Sequence, residues 1–480
     1  MATPNTHFGS EAIRKMLCDV GSIFFIGIGG ISMSSLARLA HRKGLKVGGS
    51  DRVSSEMTRR LSEEGIEVFI GHAKEHLRGY EAAVYTVAIP EDNPEYEEAV
   101  RRGIPLISRA DYLGYLMSSF RSRIGVSGTH GKSTCTSMIS QIFIDAGEDP
   151  TIISGAEFKR MDGACHIGKN EEHFVFEACE YYDSFLDFSP TVAVVLNEEY
   201  EHVDFFRDME QVRQSFRSFM HLTCREGRKG IAVINGDDED VNESAADFPG
   251  TVLRFGFGPD LDYRAVGDRF VGGYPAFDVE KHGGVVAHVQ LSVPGRHNIY
   301  NALAAYAVAD SCGIDKEPIV QALERFSGAV RRMEYKGTLR GIPVYDDYGH
   351  HPTEIRATLN GISQMGFNRI FCVFQPHTYS RLHQLYPDFV DALSVADVVM
   401  MDDVYAAREE NVYGVTSEMV ARSLGQKGMY PGTRDKIAEC LSTLPSKGDV
   451  IVIMGAGNIE DIFKILPLDE KEQEPGGIGT

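Results

Sequence analysis

The chain has 480 residues, 43% hydrophobic and 24% charged, with a formal net charge of −21. That length exceeds one ordinary core and suggests about three domains, in a composition typical of soluble globular proteins. The acidic balance argues against a nucleic-acid or anionic-membrane surface, which needs clustered Lys and Arg, yet a few cations and backbone amides suffice for a small anionic ligand.

The N-terminal "MATPNTHFGS" lacks a basic start followed by an apolar block, so no secretion signal is expected. Residues 22–28, "SIFFIGI", predict a buried strand feeding a helical pattern that closes at Gly44. The runs "KVGGSD", "EVFIGH", "AAVYTVAI" and "PLIS" follow at intervals suited to alternating strands and helices, hence a parallel sheet. A second start is "RIGVSGTHGKSTCTSMISQIFIDAG", continued by "HFVFEA", "TVAVVLN" and "IAVIN"; a third is "IPVYDDY", continued by "RIFCVFQ", "DVVMMDD" and "DVIVIMG". Residues 251–293 alternate in short runs between glycine turns and predict a small antiparallel addition. Boundaries are expected near residues 120 and 330, giving segments 1–120, 121–330 and 331–480, and the tail "KEQEPGGIGT" is expected to be disordered. All apolar runs are too short to span a bilayer, and the eight cysteines form no C-x-x-C pair, so a cytoplasmic protein with reduced thiols is expected.

The segment "GVSGTHGKST", residues 125–134, places Gly-Lys-Ser at a strand-to-helix junction. It departs from the usual P-loop, G-x-x-x-x-G-K-[ST], because Val126 stands at the first glycine position. With Gly125 and Gly128 upstream, the pattern still favours phosphate binding over a purely structural turn: amides and a helix N-terminus face the anion, and Lys132 neutralises it. Ser133 is the candidate Mg²⁺ ligand. The turn "GIGGISMSS" resembles a dinucleotide fingerprint with Asp51 further on, but Ser32 takes the third glycine position. It fits either a bound diphosphate or close helix–strand packing. Glu177, Glu180, Asn197 and His202 each lie just past the C-terminal end of a predicted strand, where open α/β sheets place ligands. Taken singly, each also reads as a solvated loop group. "VYDDYGHHPTEI" crowds Asp346, Asp347, Tyr348, His350 and His351 together, without the helical His pair or the cysteine that would support zinc. "FQPHTYSR" adds His377 and Arg381, the latter suited to gripping a carboxylate.

In this order, "FIGIGGISMS", "SGTHGKST", "EACEYYDSFL", "PGRHNIYNALAA", "RRMEYKG", "DDYGHHPTEI", "FQPHTYSR" and "GAGNI" resemble the Mur ligase family, from about residue 22 to residue 465. The resemblance is strongest to the branch that adds L-alanine. It implies an α/β chain of three domains: a Rossmann-like UDP-binding domain, a central P-loop ATPase-type domain with the small antiparallel addition, and a C-terminal Rossmann-like domain for the amino acid. It implies an ATP-dependent acid–amino-acid ligase of peptidoglycan precursor synthesis, joining L-alanine to the lactyl carboxylate of UDP-N-acetylmuramate through an acyl phosphate. The cofactors implied are ATP, as co-substrate, and Mg²⁺. Carried over by position, Gly128, Thr129, His130, Gly131, Lys132, Ser133 and Thr134 hold the phosphates, Asn298 contacts adenine and Arg332 reaches the phosphates. Ser133, Glu180 and His202 bind metal, and Gly27, Gly29, Gly30 and Asp51 face the UDP-sugar. Tyr348, His350, His377 and Arg381 surround the amino acid, and the catalytic set is Lys132, Glu180, His202, His350 and Arg381.

The sequence departs from the family pattern at Glu201, where aspartate is common, and at Thr378, where some members carry arginine. No lysine lies between Lys169 and Lys229, so the carbamoylated lysine of several sister ligases is absent, as suits the alanine-adding branch. A peptide-attaching recycling ligase is disfavoured by "DDYGHH", and a P-loop kinase or regulatory ATP-binding protein would leave the third domain's His and Arg loops without work.

Overall fold

The structure, a computed structural model, describes residues 3–158, 160–161, 165–202, 205–407 and 409–469; the C-terminal tail lies outside them. Backbone contacts divide the chain into two compact units, Met1–Arg264 with Ala304–Ile319, and Ala265–Leu303 with Val320–Thr480.

The first unit holds two sheets. One is five-stranded and wholly parallel, in the order Glu67–Ile70, Lys46–Asp51, Ser22–Ile26, Ala82–Tyr85, Leu106–Ser108. This is the strand order of a Rossmann-type sheet, whose topological switch lies beside the first strand. Ser22–Ile26 is buried along its whole length because helices cover both faces. Helix Ile31–Arg42 follows it, and Met33, Leu36, Ala37 and Ala40 form its buried stripe at helical spacing.

The second sheet runs, within this unit, in the order Thr251–Gly256, Ile231–Asn235, Val192–Val195, Ser122–Ser127, His173–Glu177, Thr151–Ile153, Cys165–His166. Only the last pair is antiparallel. The expectation for residues 251–293 needs correction here: Thr251–Gly256 pairs parallel to Ile231–Asn235 and extends the main sheet. The Asp238-capped helix Glu239–Ser244 makes the crossover that a parallel neighbour requires. The antiparallel hairpin proper is Tyr274–Lys281 with Gly284–Gln290, in the second unit.

The second unit's other sheet has the order Glu334–Leu339, Ile342–Asp347, Val450–Met454, Ile370–Phe374, Val398–Met401, Gly428–Met429. Its first pair is antiparallel and the rest are parallel. Alternate residues of the central strands feed two separate cores, Cys372, Val452 and Met454 into one and Val373, Ile451 and Ile453 into the other. That two-sided burial explains why these strands read as unbroken apolar runs. Among the described residues no helix is long and apolar enough to cross a membrane.

Candidate active site

The loop after strand Ser122–Ser127 turns into helix Lys132–Asp145. Gly128 makes the turn at φ 138°, and a Cβ there would lie 3.0 Å from that of Leu196, so only glycine fits without adjustment. The helix has no side-chain cap and no acidic residue in its first turn, which leaves its N-terminal amides and positive end free for an anion. Asn197 braces the loop from the neighbouring strand's end: its carbonyl accepts the Thr129 amide at 3.1 Å, its Oδ1 the His130 amide at 2.8 Å, and its Nδ2 donates to the His130 carbonyl. Glu199 adds further contacts: its amide donates to Thr129 Oγ1 at 2.8 Å, its carbonyl accepts that hydroxyl at 3.4 Å, and its carboxylate lies 3.3 Å from His130 Nε2.

Lys132 donates to the carbonyls of Gly128 and Thr129 at 2.5 and 3.0 Å, and its ammonium lies 3.1 Å from Glu180 Oε2. Burial alone would raise Glu180, but the Lys132 charge and a contact from His202 hold it at about 2. Burial alone would lower Lys132, and Glu180 instead keeps it above its ordinary value. The pair is therefore charged at neutral pH. His202, at a left-handed φ of 54°, places Nε2 3.5 Å from Glu180 Oε1 and stacks on Tyr181.

Glu180, Glu201 and His202 offer three ligand atoms within 4.8 Å of one another. Two carboxylates make this donor set suitable for a hard divalent cation such as Mg²⁺. Ser133, expected in the same group, instead donates its hydroxyl to Glu177 Oε2 at 2.8 Å, and that oxygen also accepts the Gly155 amide at 3.0 Å. Glu177 and Glu201 thus join the site; the signal for both was position just past a strand end.

At the other turn, the amides of Gly27 and Ile28 donate to the Ser50 carbonyl. Asp51 Oδ2 accepts the Gly29 amide at 2.9 Å, and a Cβ on Gly29 would lie 2.8 Å from that oxygen. Asp51 braces the turn, and Gly30 caps helix Ile31–Arg42 without a side-chain bond. Arg109, which the sequence reading missed, donates to Ser32 Oγ at 3.1 Å and brings a cation to this helix start. Thr134 follows Ser133 in the first turn of its helix.

In the second unit, strand ends Asp347, Phe374, Met401 and Met454 share one edge through their register. Tyr348, His350, His377 and Arg381 gather there: rings 348 and 350 are 5.5 Å apart, rings 350 and 377 are 5.9 Å apart, and Arg381 Nη1 is 3.5 Å from His377 Nδ1. Burial, with His350 and Arg381 adding, holds the His377 imidazole down at about 4, so it is neutral at pH 7. Tyr405 stacks on His377 at 5.5 Å and joins it through a backbone bridge, while Glu409 accepts both the amide and the hydroxyl of Ser380. Thr378 sits between at φ 67°, its amide bonded to the Tyr405 carbonyl. His351 is taken up as the cap of helix Pro352–Ser363. Arg332 lies over the Tyr348 ring and 3.4 Å from Glu354. Asn298 spends its side chain on the Pro294 carbonyl and Asn301.

Three stretches match one family: residues 22–121 the Mur ligase family catalytic domain, 126–309 the Mur ligase middle domain, and 331–457 the Mur ligase glutamate ligase domain. The chain belongs to the Mur ligase family, and it is a ligase with the three-domain α/β architecture of that family. It is 44% identical to the UDP-N-acetylmuramate–L-alanine ligase of Caldicellulosiruptor saccharolyticus, over 93% of this chain and 98% of that one. The enzyme of the same name from Agathobacter rectalis is 42% identical over 92% of this chain and 96% of its own length. Among solved structures, the UDP-N-acetylmuramate-alanine ligase MurC of Thermotoga maritima superposes with a TM-score of 0.77 at 28% identity, covering 93% of this chain and 98% of that one. A murein peptide ligase from Psychrobacter arcticus gives 0.69 at 25% identity, covering 93% and 98%.

Proposed function

We propose that the chain joins L-alanine to the lactyl carboxylate of UDP-N-acetylmuramate at the expense of ATP, in the assembly of peptidoglycan precursors. The observation that carries this is the Lys132–Glu180–His202 group at the mouth of the glycine loop, in a chain whose relatives at 40–44% identity carry the alanine ligase name. A carboxylate is a poor electrophile at neutral pH. Transfer of the γ-phosphoryl group to its oxygen gives an acyl phosphate and ADP. The alanine amine then attacks the carbonyl carbon, and the tetrahedral adduct loses a proton and inorganic phosphate to leave the amide. Positioning and charge neutralisation supply most of the rate.

In this reading the amides of residues 128–134 and the Lys132 ammonium take up phosphate charge. Glu180, Glu201 and His202, with Ser133 nearby, are the residues that would hold Mg²⁺, which supplies further neutralisation of the phosphates when bound. The Gly27–Gly30 turn and Arg109 serve the diphosphate of the sugar nucleotide. Arg381 takes the alanine carboxylate, and the neutral His377 accepts a hydrogen bond from its amine, with Tyr348 and His350 closing the sides. The test is product mass after incubation with ATP, Mg²⁺, UDP-N-acetylmuramate and either L-alanine or the stem tripeptide. A product of sugar nucleotide plus one alanine is expected; turnover only with the peptide would assign the recycling reaction instead.

A further inference from the structure

Helix Ile31–Arg42 starts at the Gly27–Gly30 turn, and its far end forms one wall of a groove of about 550 Å³ in the first unit. At 1.5 Å per residue the helix sets about 18 Å between that turn and the groove. The other wall comes from the second sheet. Asp149 precedes strand Thr151–Ile153, and Lys169 lies past its antiparallel partner Cys165–His166, where the Gly168 amide donates to Thr151 Oγ1 at 3.0 Å. Thr151–Ile153 runs parallel to His173–Glu177 and, through it, to Ser122–Ser127, so this wall stands at the sheet edge opposite the glycine loop.

The lining carries Arg38, Arg42 and Lys169 against two carboxylates, Glu64 and Asp149, with the imidazoles of His41 and His166. Both carboxylates are engaged. Glu64 accepts Arg38 Nε at 2.8 Å; Asp149 Oδ1 lies 2.8 Å from His166 Nε2, and its Oδ2 accepts the Lys169 amide at 3.0 Å. Arg42 Nη1 donates to the Ile167 carbonyl at 2.6 Å, a neutral acceptor that leaves the guanidinium charge uncompensated. Among the described residues neither Arg42 nor the Lys169 ammonium is bonded to a carboxylate, and Lys169 acts on Asp149 only through space. A helix C-terminus accounts for His41 and Arg42 by its dipole, but Lys169 belongs to another segment. In a chain of net charge −21, two uncompensated cations in one concavity mark a place where an anion collects.

The cations also select the ligand. Arg42 keeps Nε and Nη2 for a planar, two-pronged grip on an oxyanion, and Lys169 adds a point charge from a second segment. Two anchors, in a volume within the range of small-molecule sites, suit a diphosphate better than a single phosphate. We propose that this groove binds a small molecule bearing a diphosphate, held by Arg42 and Lys169 and separate from the glycine loop and the Gly27–Gly30 turn. An occupied groove ties the helix that follows the Gly27–Gly30 turn to the sheet that carries the glycine loop. The site stands independently of the ligase reaction.

The experiment is NMR of the histidine imidazoles in the full chain, titrated with pyrophosphate in the absence of Mg²⁺. His41 and His166 report the groove, whereas His130 and His202 report the glycine loop, so the two places are read separately. His41 and His166 are expected to move saturably. Lys169→Gln and Arg42→Gln should each weaken that response about tenfold, the loss of one charge-assisted contact, with the His130 and His202 responses and the rate without added anion unchanged. Lys169→Gln carries the test alone if Arg42→Gln, which also loses the Ile167 bond, fails to fold. ADP and UDP are titrated in parallel: a nucleotide that binds the groove more tightly than pyrophosphate makes the ligand a nucleoside diphosphate, and equal affinities assign recognition to the diphosphate itself. Unmoved His41 and His166 signals, a shift reproduced by sodium chloride at matched ionic strength, or a response undiminished in the folded variants would overturn the assignment.

Discussion

Ser133 donates its hydroxyl to Glu177, while the adjacent residue Lys132 is held by Glu180, so two carboxylates divide the start of one helix between them. Glu177 also fixes the Gly155 amide and so clamps two segments. If Ser133 meets the metal, Glu177 orients it from behind. Glu177→Ala is then expected to raise the Mg²⁺ concentration for half-maximal rate about tenfold, as loss of an outer-shell partner does. The KM for L-alanine should stay put. An unchanged Mg²⁺ dependence, read from initial rates across a metal titration, would remove Glu177 from this role.

In the proposed reaction Lys132 carries two burdens, phosphate charge and the neutralisation of the buried Glu180 carboxylate. Lys132→Ala should abolish product and also lower the unfolding midpoint, since Glu180 at 3% side-chain exposure loses its ionic partner. Leaving a buried charge unpaired costs about 3–5 kcal/mol. Lys132→Ala combined with Glu180→Gln should recover stability without recovering activity. Thermal melts of both variants check this, and recovery of neither quantity would contradict the ion-pair account.

Arg381 stands 3.5 Å from His377 and helps hold it uncharged. Arg381→Ala is therefore expected to raise the KM for L-alanine at least tenfold, with the KM for ATP unmoved. It should also shift the His377 titration upward from about 4, because a repelling charge is gone. NMR titration of the imidazole reads the second effect. A downward shift or none would separate Arg381 from His377 electrostatically.

Glu198 lies between Asn197 and Glu199, the two residues that brace the glycine loop. It is 3% exposed, its Oε2 accepts the Ser244 hydroxyl and its Oε1 has no partner. Burial lifts its carboxyl to about 9, with Asp238 and Asp240 adding and Ser244 and Arg213 opposing. The folded chain therefore keeps a proton that the unfolded chain releases near 4.5, and this group's contribution makes stability fall as pH rises from about 4.5 to 9. Glu198→Gln mimics the protonated form, so it should melt higher than wild type at pH 8 and close to it at pH 4.5. A variant less stable at pH 8 would show that the carboxylate is ionised and useful there.

The parallel strands of the three sheets were legible because strands buried on both faces must be continuous apolar runs, and helices between them must carry an apolar stripe. The phosphate loop was legible because glycine, lysine and a helix start are local features. What escaped was long-range. Ser133 and Glu177 are 44 residues apart, and nothing in either neighbourhood says which acidic residue a serine will meet. Tyr405 is positioned on His377 by an isolated backbone bridge between the loops that follow two paired strands, which local pattern does not encode. Thr251–Gly256 reads as part of the antiparallel addition because its partly buried residues suit either sheet type, and only the short crossover helix distinguishes them.

Phosphate release from ATP measures most directly whether phosphoryl transfer is coupled to amide formation. Release is expected only when UDP-N-acetylmuramate and L-alanine are both present, with one phosphate formed per amide. Sustained release with either substrate omitted would contradict it.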